Sequence, residues 1–147
     1  MRSSHRLTVL VLALVLPYAG CSDDGVGALG PVNVDLAGDP PTRLSAYNLF
    51  RWDTDAGFTF NEGVVPYDLN TALFSDYALK QRAIYIPPGT SATFDPNDEL
   101  ALPVGSVVIK NFYFAEDFRT PTQNLTLIET RLLVHHEDGW HALPYIW

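Results

Sequence analysis

The clearest pattern in the chain is a period of two. In "LTLIETRLLVHH", residues 125–136, Ile128, Leu132 and Val134 fall on one side of an extended chain while Glu129 and Arg131 fall on the other, which predicts a β-strand. "VGSVVIKNFYF", from Val104, is rich in β-branched and aromatic side chains that suit a pleated surface, and predicts another. "RAIYIP", from Arg82, is a third strand, ended by Pro87-Pro88-Gly89, and "TSATF", from Thr90, is a fourth, closed by the turn-rich "DPNDE". Asp138-Gly139 predicts a two-residue hairpin turn, because both central positions of such a turn need positive φ; it would pair Leu132 to Glu137 with Trp140 to Pro144. Upstream, "TRLSAYNLF" spaces Leu44, Tyr47 and Leu49 or Phe50 along one side of a helix, with Thr42 as its cap. The expected fold is mainly β: an antiparallel, sandwich-like domain with one short N-terminal helix and long loops.

One of those loops, "LNTALFSDYALKQR" from Leu69 to Arg82, fits neither period. It follows Pro66 and Asp68, contains Asn70, and has room for a turn of helix at Ser75 to Leu79 capped by Ser75-Asp76. It reads as a structured connector that braces the sheet rather than as a catalytic loop. Asp76, Lys80 and Arg82 are the residues to do the bracing, with Glu129 and Arg131 on the sheet, and Lys80 or Arg82 is expected to meet Glu129.

The N-terminus follows another logic. Arg2 and Arg6 precede the apolar run Leu7 to Ala19, which is too short to span a bilayer as a permanent helix, so residues 1–20 read as a cleaved signal peptide. Ala19-Gly20-Cys21 resembles a bacterial lipobox, although Tyr18 stands where a smaller aliphatic residue is usual. Cys21 is then the lipidation site and the new N-terminus, and Ser22 after it implies outer-membrane sorting, facing the periplasm. Residues 21–41, rich in Gly, Asp and Pro, read as a flexible tether, and residues 42–147 as the β domain. Cys21 is the only cysteine, so no disulfide or thiolate metal site forms within the chain. Without Arg2 and Arg6 the formal charge falls from −8 to about −10, which excludes nucleic acid as an expected partner.

"LSAYNLF", "GVVPYDLNTALFSDYALKQRAIYIPPGT", "LPVGSVVIKNF" and "LIETRLLVHHEDGWHALPYIW" resemble, in this order, successive blocks of a bacterial envelope family of conserved hypothetical proteins that includes di-haem c-type cytochromes. The resemblance covers Leu44 to Trp147. In longer members this β region precedes Cys-x-x-Cys-His motifs that bind haem covalently; this chain has none, so haem c is implied only for a missing C-terminal segment. The aromatic, strand-like ending at Trp147 agrees with a domain incomplete at its C-terminus. The resemblance implies the non-haem N-terminal domain of such a cytochrome, with an accessory or docking role in periplasmic electron transfer. Its partner would be the haem-bearing segment or a redox protein. The alternative is an envelope binding module for glycan or protein that is not redox-linked.

Other chemistries read less well, and no catalytic activity, cofactor or metal is expected of the chain. His135 and His136, adjacent on a strand, point to opposite faces; His136 and His141 could share one, but surface or packed histidines are the favoured reading. "DPNDE" fails the calcium-loop pattern because Leu100 stands where glycine is needed. Asp68, Asn70 and Asp76 read as local caps rather than calcium ligands. Ser75 lacks the flanking glycines of a nucleophile elbow. Glu129 and Asp117 have no spacing that marks a glycosidase pair. Trp52, Trp140, Trp147, Tyr67, Tyr77, Tyr85, Tyr113 and Tyr145 are expected mainly in the core, with a sugar-stacking platform as the rival role.

Overall fold

A computed structural model describes residues 28–54 and 56–147. The signal-like segment, Cys21 and residues 22–27 lie outside them. Among the described residues seven strands form: β1 (Phe50–Asp53), β2 (Gly57–Phe60), β3 (Val64–Tyr67), β4 (Leu79–Tyr85), β5 (Val107–Ala115), β6 (Leu125–His136) and β7 (Gly139–Ile146). β1 and β2 pair as a hairpin, and β3 to β7 form an antiparallel sheet in sequence order. The protein is therefore mainly β, as its pattern predicts. Among the described residues no helix is long and apolar enough to cross a membrane.

The expected N-terminal helix is a single 3₁₀ turn, Leu44–Tyr47. Its N-terminal flank has no side-chain cap, Asn48 takes a left-handed φ of 54°, and β1 begins at Phe50, so too few residues remain to propagate a helix. The apolar spacing has another use: Tyr47 and Leu49 are buried in the core.

The core lies on one side of the large sheet. Ala83 and Tyr85 of β4, Val107 and Ile109 of β5, and Leu132 and Val134 of β6 form one buried cluster with Tyr47, Leu49 and Val64. Burying an Ile109 or Leu132 side chain stabilises by about 1.5–3 kcal/mol. Val32, Val34 and Leu36 close over this cluster together with Phe50, Phe60 and Tyr145.

The segment expected to be a flexible tether is thus docked over its second half. Asn33 N donates to Tyr47 O at 2.9 Å, Asn61 Nδ2 to Gly30 O at 2.7 Å, and Tyr145 Oη to Pro41 O at 2.8 Å. The reason is a short period-two run, Val32, Val34, Leu36, embedded among Gly, Asp and Pro.

Three local expectations also change. "TSATF" contributes only one bridge, Thr93 to Ala101, and Phe94 is exposed, so the stretch is a loop. The β6–β7 turn is Glu137-Asp138, because His136 pairs with Gly139; only Gly139 takes positive φ, 125°, and the turn sits one residue earlier than a pair of positive-φ residues would place it. Finally, Phe112 faces Glu129 while Tyr113 faces Leu127, which leaves Ile128 as the extra residue of a β-bulge. Leu127 is consequently buried and Ile128 is exposed, so Ile128 does not share a side with Leu132.

Beyond the bulge, the core carries one polar chain. Thr130 Oγ1 donates to Asn111 Oδ1 at 2.6 Å and accepts from Trp147 Nε1 at 2.9 Å, with Asn111 and Thr130 both fully buried. Thr130→Val keeps the shape but strands the Asn111 oxygen and the indole N–H, and should destabilise by about 1–3 kcal/mol. The double variant Asn111→Leu/Thr130→Val should recover the part of that loss due to the Asn111 oxygen. Urea unfolding of the purified proteins measures both; a Thr130→Val protein as stable as the parent would contradict the network.

Candidate functional site

The alternation that fills the core sends the intervening side chains to the opposite face of the sheet. Strand register arranges them in rows. One row runs Tyr67, Arg82, Lys110, Arg131, Pro144 across β3 to β7. Its neighbour runs Val65, Ile84, Val108, Leu133, Ala142, and on the other side Lys80, Phe112, Glu129 and Ile146 face one another. The middle row thus places three cations directly opposite one another on adjacent strands, an arrangement that costs stability when nothing neutralises it.

Little does. Arg82 is 5% exposed, yet among the described residues its only ion pair is a 3.9 Å contact to Asp68, whose carboxylate stands 92% in solvent. Arg131 grips Glu129 through two hydrogen bonds, Nε to Oε1 at 2.7 Å and Nη2 to Oε2 at 2.9 Å. Among the described residues Lys110 has no acidic partner; its ammonium and the Arg131 guanidinium lie over the Phe112 ring, at 4.9 and 4.8 Å. Desolvation, then repulsion from Arg82, Lys80 and Arg131, pushes the Lys110 pKa below its ordinary value.

A groove of about 490 Å³ runs along this row, between Tyr67 and Pro144 and over Val108, Leu133 and Ala142. Leu133 and Val65 are well exposed at its apolar edge, and residues 98–102 overlie the sheet only towards Trp140. Cations over an open apolar floor suit a ligand that presents carboxylate or phosphate next to apolar surface.

The residues expected to brace the long loop are only partly brought together. Lys80, Arg82, Glu129 and Arg131 share the open face, but Glu129 is held by Arg131 of its own strand and not by Lys80 or Arg82. Lys80 does fasten the loop, by donating to the carbonyls of Leu73 and Ala78 at 2.9 and 3.1 Å. Asp76 lies apart. Instead of the expected turn of helix, Asp76 and Tyr77 take φ of 43° and 63° in a tight turn closed by Ala78 N to Ser75 O at 2.8 Å. This turn pushes Leu73, Phe74 and Tyr77 into solvent, where Phe74 packs edge-on to Tyr77 and Tyr77 meets Phe118.

The remaining candidates separate in the same way. His135 stacks on Trp140 on the open face, at 4.5 Å, whereas His136 turns to the other side against His141. In "DPNDE", Asp95 and Asp98 each accept from a nearby backbone N–H, as turn residues do. Asp117 is gripped by Arg119. Of the aromatics, Tyr85 is buried, Trp52, Tyr67, Tyr113 and Tyr145 are half-buried, and Tyr77, Trp140 and Trp147 are exposed.

Lys110 is the residue that sequence reasoning missed. Its parity within β5 could have placed it opposite the buried Ile109, but only the register sets it between Arg82 and Arg131. Comparison of the chain with protein-family models, with curated proteins and with solved structures gives no match to any of the three. The site therefore rests on its own geometry.

Because the folded state holds the Lys110 proton less tightly than the unfolded chain, protonated Lys110 costs stability, and the cost fades as pH rises through the alkaline range below the ordinary lysine value. Lys110→Met should raise Tm at pH 7 by about 1–3 °C. The gain should shrink as the pH is raised. A Tm unchanged or lowered at pH 7 would mean that the row is already neutralised.

Proposed function

We propose that this chain is a docking domain of the bacterial envelope, lipid-anchored through Cys21 and facing the periplasm, probed by its partner through the open face of the large sheet. The partner is an acidic, haem-bearing segment or redox protein, and the role is accessory, in electron transfer. In this reading the β1–β2 hairpin and the N-terminal segment are the second layer of a sandwich-like domain, and they leave one face of the five-stranded sheet for the partner. The observation that carries it is the Arg82–Lys110–Arg131 row, three aligned cations on a chain of formal charge −8. Such a field steers an acidic partner, and the apolar rows beside it supply surface to bury once the partner has arrived. The redox assignment is drawn from the resemblance of Leu44 to Trp147 to the envelope family that includes di-haem cytochromes. Glycan binding is the second reading, favoured by one feature: Trp140 lies flat on His135 and is 44% exposed, in the manner of a sugar platform.

The test is a titration of the purified chain with an acidic c-type cytochrome, followed through quenching of tryptophan fluorescence by haem. Saturable quenching that weakens with added salt and is lost in Lys110→Glu/Arg131→Glu is expected. Quenching that survives the double charge reversal, or a fluorescence response to peptidoglycan fragments and none to the cytochrome, would refute redox docking. Release of the protein from the membrane fraction on Cys21→Ser is the companion result for the anchor; retention would contradict it.

A further inference from the structure

The β6–β7 hairpin carries a second constellation, on the side of the sheet away from the cationic row. Register sets Val134 against His141 and His136 against Gly139, so His136 and His141 are diagonal neighbours on one face. Their rings stack 4.0 Å apart, tilted by 17°. Asp138, in the two-residue turn, folds back so that its Oδ1 lies 2.9 Å from His141 Nε2. One ligand atom from each of the three residues lies within 4.8 Å of the other two.

We propose that His136, Asp138 and His141 form a binding site for a divalent transition-metal ion of the zinc and copper(II) class. The donor set is two imidazole nitrogens and one carboxylate oxygen, which suits these borderline ions and is too poor in oxygen for calcium or magnesium. Tetrahedral coordination at 2.0–2.2 Å sets ligand atoms roughly 3.4 Å apart. Side-chain rotation alone covers the remaining contraction, because Asp138 is exposed and both histidines are partly so. Hairpin register already fixes the Cα positions of His136 and His141, and Asp138 sits in the two-residue turn that joins their strands. Three protein ligands leave a fourth position, which opens on a hollow also lined by Glu137 and by Asp39 of the N-terminal segment. Those two carboxylates add negative field at a place where a cation would sit. His135, one residue away but on the opposite face and stacked on Trp140, takes no part.

The test uses the chain purified without a histidine tag and titrated calorimetrically with zinc chloride and, separately, copper(II) chloride. One equivalent should bind in the parent protein and in His135→Ala. Affinity should fall by more than about tenfold in both His136→Ala and His141→Ala, each shown by circular dichroism to be folded. Copper(II) paramagnetic resonance should show two equivalent nitrogens, and one in either single variant. No saturable binding by the parent, or equal weakening by His135→Ala and His141→Ala, would overturn the assignment. Neither outcome bears on the cationic row of the docking face, since Arg82, Lys110 and Arg131 are not exchanged.

Discussion

The protein is organised by the unequal covering of one sheet. β5 is its middle strand, paired on both sides, so every side chain on it belongs to one face or the other. Val107, Ile109 and Asn111 go inward and are completely buried, while Val108, Lys110 and Phe112 go outward and are not. A five-stranded sheet has two faces to satisfy, and the described residues supply a full covering layer for only one. What remains on the other is a groove with an apolar floor and a row of cations that repel one another. In an acidic chain that placement has a local electrostatic cost, and an anionic partner would remove it.

The covered face depends on the N-terminal segment as much as on the strands. Val32, Val34 and Leu36 contribute apolar area, and Asn48 and Asn61 tie this segment to the β1–β2 hairpin through the carbonyls of Pro31 and Gly30. Tyr47 and Tyr145 meet at the edge of this layer, with the Tyr145 hydroxyl 3.3 Å from that of Tyr47. Burial, then this hydrogen bond, pushes the Tyr47 phenol up. The neutral phenol is therefore part of the fold, and its contribution, present below the ordinary tyrosine value, is lost as the solution becomes more alkaline.

How much of this could be read from residues depends on how local each cause is. β6 was legible from end to end because its twelve residues are β-prone and bounded by turn signals. The bulge at Ile128 was not, since it is created by pairing with Phe112 and Tyr113, sixteen and fifteen positions upstream. The hairpin was legible, yet its turn lies one residue earlier because glycine tolerates positive φ just outside the loop as well as within it. Leu44 and Tyr47 carried a helix-like spacing that a 3₁₀ turn satisfies equally well. Val32, Val34 and Leu36 were hidden by the Gly, Asp and Pro around them. Of the site, Arg82 and Arg131 were visible as charged residues of strands, whereas their alignment with Lys110 is a property of register across three strands and has no local signal.

The chain thus presents two chemically different surfaces, the cationic groove on the open face and the histidine hairpin on the other. The central claim concerns the first, and the sequence offers a direct probe of it, because Lys80 and Lys110 are the only lysines. Amine acetylation read out by mass spectrometry, with and without the acidic cytochrome, reports on Lys110 itself. The account predicts ready modification of Lys110 in the free chain, helped by its lowered pKa, and protection once the partner is bound. A Lys110 that is unreactive in the free chain, or equally reactive with the partner bound, would contradict it.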